Sequence, residues 1–70
     1  MKPINWRNYR RSDGTIDLIA AAEDSGALIS QQQLTFLDRV QLLQPINSRQ
    51  AAAVAIATAI ALTNMEREES

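Results

Sequence analysis

The stretch from Ala51 to Leu62 reads AAAVAIATAIAL, carries no charge and has Thr58 as its only polar side chain. It is shorter than the about 20 apolar residues a bilayer-spanning helix requires. It is also too uniformly apolar for a helix with one face in water. Such a run must be covered on more than one side. A chain of 70 residues can hardly do that with a single copy of itself, so the pattern predicts self-association or a partner's surface.

From Ala53 to Leu62 alanine alternates with Val54, Ile56, Thr58, Ile60 and Leu62, which taken alone is a strand period. Helix is the better reading. Alanine is the strongest helix former, Asn47 with Gln50 three residues on supplies a helical start, and a strand of this length would need partners the chain lacks. Ile46 before the cap can pack on Ala51 as a hydrophobic staple. The helix continues into Asn64, Met65 and Glu66, about twenty residues and roughly 30 Å.

Two shorter helices precede it. Ser30 and Gln33 fit a capping box, after which Leu34, Phe36, Leu37, Val40 and Leu43 fall on one half of a helical wheel, with Thr35, Asp38, Arg39 and Leu42 on the other. Pro45 ends that helix near Leu43. The first helix is predicted over about Thr15 to Ser25, capped by Ser12, Asp13 or Thr15 and closed by Gly26. Asp13-Gly14 leaves a second reading open for residues 9–19, in which it turns a hairpin between Tyr9–Ser12 and Thr15–Ile19. The fold class that follows is all-α: a three-helix domain over residues 13–70, a polar, basic N-terminal arm over residues 1–12, and a long Ala-rich C-terminal helix that makes the protein oligomeric.

At about 100° per residue, Val54, Thr58, Ala61, Leu62 and Met65 cluster on one side of the long helix, while Ile56 and Ile60 lie nearly opposite, beside Ala53. The first two helices can cover one of these faces. The other is the predicted interface with a second copy, assigned to Ala53, Ile56 and Ile60 with Leu42.

Charge changes the picture at the N-terminus. Residues 1–12 hold Lys2, Arg7, Arg10 and Arg11 without an acid, whereas the remainder carries three arginines against eight acids. The opening MKPINWRNYRR has no apolar run after its basic residues, so no secretory signal is predicted and the expected location is the cytoplasm. Arg7, Arg10 and Arg11 interleaved with Trp6 and Tyr9 offer charge for phosphates and flat faces for bases. The same aromatics can instead close a small core while the arginines pair with acids of the body.

Chemistry is otherwise scarce. The chain has no histidine or cysteine, Lys2 is its only lysine, and Gly14 and Gly26 are its only glycines. The usual general bases, nucleophiles, zinc ligands and phosphate loops are therefore missing, and disulfides are excluded. Asp13 with Asp17, Glu23 with Asp24, and Glu66 with Glu68 and Glu69 read as helix-terminal or solvated charge. Ala22 and Gly26 have the spacing of a helix-turn-helix alanine and turn glycine, but Ser25, Gln32 and Thr35 stand where that motif needs apolar residues, and no such assignment is made.

The sequence thus predicts no catalytic residue, no metal site and no cofactor. It predicts a non-enzymatic helical binding protein, of the kind bacteria and their phages use, that self-associates and binds another macromolecule as inhibitor, adaptor or scaffold. Trp6, Arg7, Tyr9, Arg10 and Arg11 are its partner-binding candidates. A protein is the first expected partner, nucleic acid or a nucleotide the alternative, and no membrane is expected.

Overall fold

The computed structural model describes residues 3–69, and it is all-helical. A short 3-10 turn at Trp6–Tyr9 precedes three helices, α1 (Leu18–Asp24), α2 (Gln31–Leu43) and α3 (Arg49–Glu69). Each helix packs on the other two, and the 3-10 turn lies on α1. Among the described residues no helix is long and apolar enough to cross a membrane.

α1 starts later than the sequence suggests, at Leu18, because the residues before it are already committed. Asp13 does not cap a helix; its carboxylate accepts from the backbone N–H of Thr15 at 2.9 Å and from the Thr15 hydroxyl at 2.6 Å. Gly14, at φ +89°, completes a tight turn in which Gly14 N–H donates to Arg11 C=O and Arg11 N–H to Thr15 C=O. Arg10 and Ile16 then form an isolated antiparallel bridge. Both readings of this segment are therefore realised in part: a hairpin-like turn first, then a short helix. Asp17 is the actual cap, accepting from Ala20 N–H at 3.2 Å. Gly26 closes the C-terminus at φ +74°, the left-handed conformation that glycine adopts without strain.

α2 is capped by Ser30 and ends at Leu43 as the punctuation predicts, and Ser30 Oγ accepts from Gln33 N–H at 3.3 Å. Only half of the capping box forms. The Gln33 amide turns to α3 and donates to Glu66 Oε1 at 2.7 Å, while Ser30 N–H donates to Thr63 Oγ1 at 3.0 Å. The start of α2 is thereby tied to the far end of α3 through side chains 33 residues away.

The buried stripe of α2 also differs from the expected one. Leu37 is buried, but so are Gln33 and Gln41, whereas Phe36 and Leu43 are exposed. The glutamines can be inside because each has a partner: Gln41 Oε1 accepts from Leu18 N–H at 3.1 Å and its amide donates to Asp38 at 3.2 Å. No buried side-chain nitrogen or oxygen among the described residues lacks a hydrogen bond.

α3 is capped one residue later than predicted, by Ser48, whose hydroxyl accepts from Ala51 N–H at 3.3 Å. The neighbouring backbone has other duties, since Ile46 C=O accepts from Ile16 N–H and Asn47 C=O from Arg10. The core is Ile16, Leu18, Ala21, Ala22, Leu37, Ala52, Ile56 and Ala59, with Ile4, Trp6 and Tyr9 packed against it.

Candidate functional site

Two surfaces stand out, and the first is the outer side of α3. The helix buries Ala52, Ile56, Ala59 and Thr63, a stripe at spacings of four, three and four. Ile56 is 2 % exposed, within the chain's own core, so it is not free to meet a second copy. Its assignment to an interface is corrected by that burial: α1 and α2 cover the Ile56 face, and the face left over is the Val54 one. Ile60 is half-buried, Ala53 is exposed beside it, and Leu42 on α2 is 74 % exposed.

The open face comprises Ala51, Val54, Ala57, Thr58, Ala61 and Met65, with Val54 61 % and Met65 55 % exposed. Four turns of helix thus present no charge to the outside. The one polar group, the Thr58 hydroxyl, donates back to Val54 C=O at 2.8 Å. At the rim, Leu62 joins Phe36 of α2 in an open groove of about 450 Å³.

The second surface is a cleft of about 460 Å³ between the N-terminal segment and the start of α3, lined by Ile4, Asn5, Trp6, Arg7, Arg10 and Arg49. Three guanidinium groups share it, and no described acidic residue lines it. Arg10 is held in place by its Nη1, which donates to Gly14 C=O at 2.7 Å and Asn47 C=O at 3.0 Å. Arg49 opens the first turn of α3, the end at which a helix carries partial positive charge. Trp6 is half-buried, packed against the core on one side and lining the cleft on another.

The five candidate residues of the arm therefore divide. Trp6, Arg7 and Arg10 meet at the cleft. Tyr9 is absent from it: its hydroxyl hydrogen-bonds the Asp24 carboxylate, which together with burial and the nearby negative charge pushes the phenol up to about 12. Arg11 faces Asp17 at 3.6 Å. Arg49, which sequence reasoning passed over, is brought in by the fold from 39 positions beyond Arg10.

Two carboxyl groups are held below their ordinary pKa. Hydrogen bonds from the Thr15 hydroxyl and backbone hold the Asp13 carboxyl below its ordinary value, and those from Gln33 and Ser30 do the same for Glu66. Among the described residues no group of three or more potential metal ligands comes together. Comparison of the chain with protein-family models, with curated proteins and with solved structures found no match.

Proposed function

We propose that this chain is a non-enzymatic helical binding module that works as a pair of copies joined through the outer face of α3, each copy presenting a basic cleft to a partner. The observation that carries the reading is the uncharged outer face from Ala51 to Met65, which the other described residues leave open. Exposed aliphatic surface of this continuity, rimmed by charge at both ends, is characteristic of an association site.

A second copy suits it better than other occupants because the face is self-complementary when two α3 helices run antiparallel. The end near Arg49 is basic, and the other end, with Glu66, Glu68 and Glu69 against Arg67, is net acidic. Antiparallel pairing lays each acidic end against the partner's N-terminal end, where the helix dipole also favours negative charge, whereas parallel pairing sets like charges together. Alanines at 51, 57 and 61 let the two axes approach closely. The pair is isologous about a two-fold axis near Thr58, which matches Val54 with Ala61 or Leu62 and Ala51 with Met65.

Analytical ultracentrifugation tests the pairing. The wild-type chain is expected to sediment at twice its 7.8 kDa mass. Ala61→Glu, at an exposed position that tolerates a charge in the single chain, is expected to sediment as one copy with its helical circular dichroism intact. A wild-type protein that stays at one-copy mass, or an Ala61→Glu variant that still pairs, removes the support for the reading.

A further inference from the structure

The cleft between the N-terminal segment and α3 has a chemistry of its own. Its lining combines three guanidinium groups, one indole and one asparagine. Arginine forks suit phosphate oxygens, because the planar donors bond two oxygens at once and stay charged at any ordinary pH. An indole face beside them suits a flat ring, which a sulfate or a carboxylate does not possess. The volume of about 460 Å³ falls in the range of small-molecule sites.

Part of the arrangement is fixed before any ligand arrives. Arg10 is tied to two backbone carbonyls, Arg49 stands on the first turn of a 21-residue helix, and Trp6 rests on the core. For Arg10 and Trp6 little side-chain ordering remains to be done on binding, whereas the exposed Arg7 and Arg49 are ordered by the ligand. An ion-paired surface arginine would first have to give up its carboxylate, and Arg11 facing Asp17 is such a case. The cleft residues have no described acid among their neighbours in the lining.

We infer that the Trp6–Arg7–Arg10–Arg49 cleft binds a nucleotide unit, with its phosphate on the arginines and its base stacked on Trp6. The unit is either a free nucleotide or one residue of a single strand, since both offer the same phosphate and the same ring. This deepens the proposed binding role by naming what the cleft takes, and it does not require the α3 pair, because every lining residue comes from one copy.

Trp6 is the only tryptophan, so its fluorescence reports on the cleft directly. The full-length protein is titrated at low salt with adenosine, inorganic phosphate, adenosine monophosphate and a short oligothymidylate. Saturable quenching is expected with the nucleotide or the strand, none with adenosine, and weaker binding with phosphate alone. Arg49→Gln and Arg7→Gln are each expected to weaken the nucleotide about tenfold, as loss of a charge-assisted bond does, while Arg39→Gln, outside the cleft, has no effect. A strand bound much more tightly than the monophosphate, with a log–log salt slope of about −0.7 for each phosphate neutralised, identifies single-stranded nucleic acid as the source. Equal affinities identify the free nucleotide.

The inference is overturned if neither nucleotide nor strand quenches Trp6 saturably, if phosphate binds as tightly as the nucleotide, or if Arg39→Gln weakens binding as much as Arg49→Gln. Ala61→Glu is titrated in parallel. Quenching retained by that variant separates the fate of the cleft from the fate of the pair.

Discussion

The two sides of α3 make opposite demands, and truncating one residue on each measures the difference. Ile56 is 2 % exposed and sits in the core with Leu18, Leu37 and Ala52, so Ile56→Ala removes buried methyl and methylene groups from a site walled by all three helices. Such truncations cost about 2–5 kcal/mol. A 70-residue domain has about 3.5–10 kcal/mol of stability in total, so the variant should lie close to the edge of unfolding. At about 4–8 °C per kcal/mol for this size, a cost near 3 kcal/mol lowers Tm by roughly 12–24 °C. Val54, 61 % exposed, loses almost nothing from the single chain, and alanine's higher helix propensity returns a few tenths of a kcal/mol. Urea denaturation followed by circular dichroism, at a protein concentration low enough for single copies, compares the two. Equal destabilisation by both variants, or an Ile56→Ala protein within about 0.5 kcal/mol of wild type, would refute this division of the helix into inner and outer faces.

Other residues give independent checks. Gln41→Ala leaves the Leu18 N–H without its acceptor, at about 1–3 kcal/mol, and the Leu18 amide should lose protection in hydrogen exchange while the amides of α3 do so only with global unfolding. Tyr9 is the only tyrosine, and its ultraviolet titration should show ionisation near 12, returning toward 10 in Asp24→Ala. Because the folded value is the higher one, the stability linked to Tyr9 is fully present below about pH 10 and is lost as pH rises toward 12. Glu66 runs the other way. Its folded value is depressed, so its contribution is present above pH 4.5 and lost as pH falls below that, and Glu66→Gln should flatten this part of the acid limb of the stability curve.

How much of this was legible in the sequence follows from which signals were local. Ser30, Gly26 and Pro45 mark helix ends through their own side chains and backbone, and the structure puts those ends where they predict. The start of α1 and the cap of α3 were displaced because Asp13, Ile16, Ile46 and Asn47 are engaged by residues distant in the chain, or by a turn that competes with helix. The wheel of α3 correctly showed two opposed aliphatic faces, but periodicity carries no information about which one α1 and α2 occupy. In the folded chain α1 and α2 take the face of Ile56, with Ala52 and Ala59 beside it. Gln33 and Gln41 look like surface residues until their partners on α3, α1 and α2 are seen. At the cleft, Trp6, Arg7 and Arg10 were visible as a basic, aromatic segment. Arg49 was not, since only the fold places the start of α3 beside it.

The account rests most on the antiparallel pairing of α3, and a chain without cysteine allows a direct measurement of it. Single cysteines are introduced at Ala51, Thr58 and Met65, and disulfide formation under mild oxidation is followed by mass spectrometry. In the pair described here Thr58→Cys lies at the two-fold axis and should cross-link to itself. Ala51→Cys and Met65→Cys should each fail alone, their copies being about 20 Å apart along the axis at 1.5 Å per residue, yet should cross-link when mixed. Efficient self-cross-linking of Ala51→Cys, or no cross-link in any of these combinations, would contradict the account.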